Sequence, residues 1–175
     1  FEVLKEMGAA VECEEAARGE AAQEPMGRVR VRSGGGLRGC NIGGELLVRM
    51  LDEFPIVCIL AACAEGETLI RDAAELRVKE SDRIAEMGAA LKKLGVEVEE
   101  FPDGLRIGGA AKLKGARIDC KGDHRVAMAA SVAGLVSGEI EIENAQAICT
   151  SYPGFVEDMG ALGARMEMKW EEVKE

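Results

Sequence analysis

The sequence predicts a mixed α/β (α+β) fold made of a repeated unit, and three observations carry that prediction. First, helical and alternating periodicities succeed one another along the whole chain, so helices and strands are interleaved. Second, "IAEMGAALKKLGVEVEE" and "FVEDMGALGARMEMKWEE" follow one plan. Ile84, Met87, Leu91 and Leu94 share a helical face in the first, and Phe155, Met159 and Leu162 share one in the second. Each helix runs into a Leu-Gly pair, Leu94-Gly95 or Leu162-Gly163, which suits a left-handed cap, and then into an alternating strand. Third, the likeness extends upstream. "AACAEGETLIRDAAEL" matches "AGLVSGEIEIENAQAI" as a small-residue helix, a Gly-Glu turn and a strand, with Gly66 and Gly138 as the corresponding glycines.

Taken in order, "FEVLKEMGAAVECEE" opens the chain as a partial third copy, a helix capped by Gly8 followed by a strand. It begins at Phe1 within a helix already under way, with no cap before it, so the chain is read as part of a longer protein. "GRVRVRSGGGLRGCNIGG" is a strand ending in glycine-rich loops; Gly34 to Gly36 lack the strand–turn–helix setting of a phosphate loop and are assigned no ligand. "LDEFPIVCILAACAEG" is an apolar helix with Pro55 in its first turn, where Asp52 or Glu53 either caps or does chemistry. "VEVEEFPDGLRIGG" is a hairpin turning at Pro102-Asp103-Gly104. "GDHRVAMAASVAGLVSG" is a second apolar helix, buried on most sides, with Asp123 as its cap. In "CTSYPGFVED", Thr150 or Ser151 introduces the last helix. No linker splits residues 1–175, which read as one domain.

Composition narrows the function. A net charge of -10 argues against nucleic acid and anionic membrane surfaces as partners, because both need a basic footprint. The six cysteines form no Cys-x-x-Cys pair and stand beside a single histidine, which argues against structural zinc. Most lie in apolar runs, as buried free thiols do, and point to a reducing, cytoplasmic compartment, with disulfides left open by their even number. No apolar run reaches the length of a membrane span.

Charge is unusually dense in "LRVKESDRI". With a helix starting near Ser81, that residue is a good cap, Asp82 complements the dipole, and Arg83 in the first turn is electrostatically misplaced. An anion held between Arg83 and the helix end would reverse that penalty; local ion pairs on a solvated surface are the plainer reading. His124 and Arg125 stand at another helix mouth, either as a packed cap or as part of the same site. If the repeats bring three helix N-termini to one end of the domain, Lys79, Arg83 and Arg125 make an anion site in an acidic protein.

"IGGELLVRMLDEFPIV", "AEGETLIRDAAELRVKESDR", "DHRVAMA" and "SYPGFVEDMGALGA", in this order and spacing, resemble the 5-enolpyruvylshikimate-3-phosphate synthase family over Phe1 to about Met168. The resemblance implies repeated βαβαββ units of the enolpyruvyl transferase inside-out barrel, with residues 1–175 as the carboxy-terminal domain of two. It implies transfer of the enolpyruvyl group of phosphoenolpyruvate to the 5-hydroxyl of shikimate 3-phosphate with release of phosphate. No metal or organic cofactor is implied, and the amino-terminal domain of the same chain is the partner. By position, Asp52 matches the catalytic aspartate that takes the hydroxyl proton. Lys79 matches the lysine bridging the two substrates, and Glu80 the glutamate that moves a proton at the methylene carbon. Arg83 and Arg125 match the two arginines that hold phosphoenolpyruvate, with His124 beside the second. The chain departs from the family pattern at Thr150, where many members have lysine, and at Glu75, where some have asparagine. Little or no turnover is expected of these 175 residues alone. The alternatives are a UDP-N-acetylglucosamine enolpyruvyl transferase domain, which the contiguous "VKESDR" and "DHR" disfavour, and an anion-binding module without chemistry.

Overall fold

The computed structural model describes residues 1–15, 27–32 and 34–169. Its helices are α1 (Glu2–Glu6), α2 (Gly44–Arg49), α3 (Phe54–Cys63), α4 (Arg83–Lys93), α5 (His124–Ser137), α6 (Ala147–Ser151) and α7 (Phe155–Ala161). The strands are β1 (Ala10–Glu15), β2 (Gly27–Arg32), β3 (Asn41–Ile42), β4 (Glu67–Ile70), β5 (Val98–Phe101), β6 (Gly104–Gly108), β7 (Ala116–Asp119) and β8 (Ile140–Glu143). Short 3-10 turns at Leu51–Glu53 and Ala74–Val78 precede α3 and α4. Strands β1 and β2 form an antiparallel pair, β3-β4-β6-β5 a mixed four-stranded sheet, and β7-β8 a parallel pair.

The internal repeat is written into the backbone. Gly66 and Gly138 follow α3 and α5 with φ of 83° and 95°. Six residues later Asp72 and Asn144, with φ of 63° and 57°, turn the chain out of β4 and β8; short polar side chains tolerate this left-handed region best after glycine. Gly95 and Gly163 close α4 and α7 at 87° and 96°. The hairpin of β5 and β6 turns at Pro102-Asp103, with Phe101 opposite Gly104. Gly104 is pressed against β4 so closely that a Cβ there would lie 1.8 Å from the Ile70 carbonyl oxygen.

The core is aliphatic. α3 buries Phe54, Pro55, Val57, Cys58, Ile59, Ala61 and Ala62 and packs on the alanine face of α5, where Ala127, Ala130 and Ala133 are buried. α4 lays Ile84, Met87 and Leu91 onto the same core, and Leu94 follows them in, the stripe expected of a 3.6-residue period.

Several expectations need correction. Leu162 is 83% exposed, unlike Phe155 and Met159 on the same helix; α7 ends at Ala161, and no described element covers that end. Leu135 and Val136 are exposed, so α5 is buried along its first three turns and open at its last. Residues 164–169 form no strand, since no described strand runs beside them and alternation alone supplies no ladder; Trp170, the end of that expected strand, lies outside the described residues. Thr150 and Ser151 close α6, and Gly154 precedes α7 without a side-chain cap. All six cysteines are free thiols, and only Cys58 and Cys120 are buried. Among the described residues, no helix is long and apolar enough to cross a membrane.

Candidate anion-binding and catalytic site

The repeat brings the N-termini of α3, α4 and α5 together, and the residues at those three mouths interlock. Arg83 is the first residue of α4 and is 1% exposed. Its Nε donates to Asp123 Oδ2 at 2.8 Å, its Nη1 to Asp52 Oδ1 at 3.1 Å, and its Nη2 to Glu80 Oε2 at 2.6 Å. A buried guanidinium at the positive end of a helix is doubly costly, and three carboxylates offset that cost.

Asp123 is the hub. Fully buried, it caps α5 by accepting from the backbone N–H of Arg125 at 2.9 Å and of Val126 at 3.3 Å, and it also accepts from Ser81 Oγ at 3.0 Å. One carboxylate thus orients Arg83 through its side chain and Arg125 through its backbone. Burial raises the pKa of Asp123, but the hydrogen bond and charge of Arg83 outweigh it and hold the carboxyl below its ordinary value. Burial likewise opposes the charge on Arg83, and Asp123 leads the groups that keep its pKa raised.

Arg125 is one-third exposed. Its Nη1 donates to the backbone oxygen of Asp52 at 3.0 Å and lies 3.7 Å from Glu53 Oε1, while its Nη2 lies 3.5 Å from Asp52 Oδ2. The two oxygens of Asp52 therefore face the two arginines separately. Asp52 and Glu80 have about half of their side chains exposed, 54% and 51%. Asp123 is a fixed part of the fold, whereas Asp52 and Glu80 are accessible from solvent and hold the donors that an incoming anion would take.

Lys79 pairs with Glu75 at 2.5 Å. With Asp52, Glu53, Arg49, Leu51 and Val48 it lines an open hollow of about 250 Å³ beside the arginine cluster. His124 is the first residue of α5 and is half-buried. All six residues singled out from the sequence, Asp52, Lys79, Glu80, Arg83, His124 and Arg125, thus lie at the mouths of α3, α4 and α5.

Local details differ from the sequence reading. Asp82, not Ser81, caps α4, its Oδ1 accepting from the Ala85 N–H at 3.0 Å; Ser81 is drawn away to Asp123. Neither Asp52 nor Glu53 makes a side-chain cap on α3. The bridging role of Asp123 was not legible from its position, which signalled a cap alone; its partner Arg83 is forty residues away in sequence. The roles of Arg77 and of the pair between Glu75 and Lys79 were equally hidden.

Fold and site together define an α/β repeat domain that presents three helix N-termini and two arginines to a polar face. The family profile described as EPSP synthase (3-phosphoshikimate 1-carboxyvinyltransferase) matches residues 1–159. The 3-phosphoshikimate 1-carboxyvinyltransferase of Synechococcus sp. (strain JA-3-3Ab) is 48% identical over 157 residues, covering 89% of this chain and 35% of that protein. That of Pelotomaculum thermopropionicum is 46% identical over 172 residues, covering 98% and 38%. The solved structure of EPSP synthase from Acinetobacter baumannii superposes with a TM-score of 0.85 at 38% identity, over 91% of this chain and 37% of that one. The enolpyruvyl transferase NikO of Streptomyces tendae, at 23% identity and a TM-score of 0.72, shares the fold. The chain belongs to the EPSP synthase family. It spans 35% to 38% of the length of these two curated relatives.

Proposed function

We propose that residues 1–175 are the carboxy-terminal domain of a cytoplasmic enzyme that joins phosphoenolpyruvate to the 5-hydroxyl of shikimate 3-phosphate, releasing phosphate. The observation that carries this reading is the arginine cluster: Arg83 and Arg125 around Asp52, with Glu80 on Arg83 and Asp123 beneath. Phosphoenolpyruvate offers a carboxylate and a phosphate, both matched by planar guanidinium forks. On entering, these groups displace Asp52 and Glu80 from the arginines, and the two released carboxylates become the acid–base pair. Asp52 takes the proton of the attacking hydroxyl as the oxygen bonds to C2 of phosphoenolpyruvate. Glu80, protonated from solvent once it has left Arg83, delivers that proton to C3, giving a tetrahedral intermediate that still bears phosphate. C3 then gives up a proton as the C2–O bond to phosphate breaks. Lys79 bridges the two substrates across the hollow it shares with Asp52, His124 lies beside Arg125, and the fixed cations stabilise the charge of the intermediate. The remaining contacts to shikimate 3-phosphate belong to the amino-terminal domain of the longer chain.

The test is phosphate release by the full-length protein from phosphoenolpyruvate, with shikimate 3-phosphate or UDP-N-acetylglucosamine as acceptor. Turnover is expected with the first alone, with a loss of about 10²-fold or more in D52N and in E80Q. Wild-type turnover in both variants would remove the catalytic reading of these carboxylates. The 175 residues alone are expected to release little or no phosphate.

A further inference from the structure

Arg77 takes no part in the site described above, yet its guanidinium makes four hydrogen bonds. Its Nε donates to the Pro102 carbonyl at 2.7 Å, and its Nη2 to the Phe101 carbonyl at 2.7 Å and to Glu100 Oε1 at 2.9 Å. Its Nη1 donates to Asp82 Oδ2 at 2.8 Å. Asp82 uses its other oxygen to cap α4. The pair between Arg77 and Asp82 therefore closes the base of a loop, residues 77–82, and the fork of Arg77 fastens that base to the β5–β6 turn.

This loop carries Lys79 and Glu80, and its crest is held by few contacts. Leu76 and Arg83, just outside it, are buried, but Val78 at its crest is 81% exposed. Among the described residues Lys79 pairs with the exposed Glu75 alone, and exposed pairs of this kind contribute little. Besides the hydroxyl of Ser81 on Asp123, the Asp82 cap of α4 and the carboxylate of Glu80 on Arg83, which the incoming anion displaces, the loop is fixed through Arg77. A guanidinium is the one side chain that can bond two carbonyls and two carboxylates from one rigid plane.

We infer that Arg77 is a positioning residue for the reaction: it holds Lys79 and Glu80 in register with Arg83 by closing their loop and pinning it to the β5–β6 turn. The inference rests on the roles proposed above for Lys79 and Glu80. A displacement of about 1 Å at a reacting group costs up to roughly 10² in rate, so small freedom in this loop is enough to matter.

The experiment compares R77Q with R106Q in the full-length protein. Arg106 sits on β6 and pairs with Glu67 and Glu99, on the sheet rather than the loop. Three quantities are measured: kcat, KM for phosphoenolpyruvate, and the rate at which trypsin cleaves the native protein after Lys79, which reports local opening. In R77Q, cleavage is expected to rise roughly tenfold or more and kcat to fall about 10- to 100-fold, with KM changed less than about threefold because Arg83 and Arg125 keep their own partners. R106Q should leave all three unchanged. Unchanged cleavage in R77Q, an unchanged kcat, or the same losses in R106Q would each overturn the inference. If the wild-type protein shows no turnover with these substrates, the proposed function fails instead, and cleavage after Lys79 alone decides whether Arg77 holds the loop.

Discussion

α4 and α7 begin at corresponding points of the repeat and fill that point in opposite ways. Arg83 and Phe155 are each the first residue of their helix, and both are buried, at 1% and 7% exposure. Phe155 closes its copy with an apolar ring, edge-on to Tyr152 at 5.8 Å. Arg83 closes its copy with a charge surrounded by Asp52, Glu80 and Asp123. The preceding segments diverge in step: "LRVKESDR" is dense in charge, while "ICTSYPGF" at the matching place has none. α7 is also one turn shorter, seven residues against eleven. The same backbone plan thus closes on an apolar plug in one copy and on a charged cluster, the proposed site, in the other, and the exchange of a plug for a cation, with a buried carboxylate to receive it, makes the difference.

Removing the cation should produce the largest effect. R83L strands Asp123 without its partner, and losing one member of a buried pair costs about 3–5 kcal/mol; chemical denaturation should show that loss, and phosphate release by the full-length protein should fall below detection. F155A should cost about 3 kcal/mol by leaving a cavity, yet the surviving folded fraction should keep its kcat and KM. A selective loss of kcat in F155A would mean that the two copies are not divided between structure and function as described.

A subtler test uses pH. Asp123 has a folded pKa below its unfolded one, so its contribution to stability is complete above the unfolded value of about 3.9 and is lost as pH falls through the folded value. D123N should therefore be less stable than wild type at neutral pH, and the gap should narrow as acid protonates the wild-type carboxyl. Denaturation midpoints measured from pH 6 down to pH 2 check this (roughly the span in which a carboxylate titrates); a gap that stays constant would remove Asp123 as the charged partner of Arg83. Smallest of all, L162S should change stability by no more than about 0.5 kcal/mol, because that side chain already faces solvent. A larger change would show that the exposed end of α7 is covered in the full-length protein.

What the sequence determined was whatever depends on near neighbours. The amphipathic stripe of α4, the apolar run of α3, the Asp123 cap, the turn at Pro102-Asp103 and the glycines that end the helices all follow from the 3.6 and 2.0 residue periods and from conformations that few residues adopt. Motif spacing also placed Asp52, Lys79 to Arg83 and Arg125 at helix mouths. Tertiary structure decided which neighbour each polar group chose. Ser81 abandons the cap of its own helix for Asp123, Arg77 reaches across to the β5–β6 turn, Asp123 joins two helices, and residues 164–169 stay out of any sheet despite their alternation. A periodic pattern fixes the face on which a side chain stands, because backbone geometry repeats. It does not fix the partner, because that partner comes from a distant segment and is set only once the core has packed.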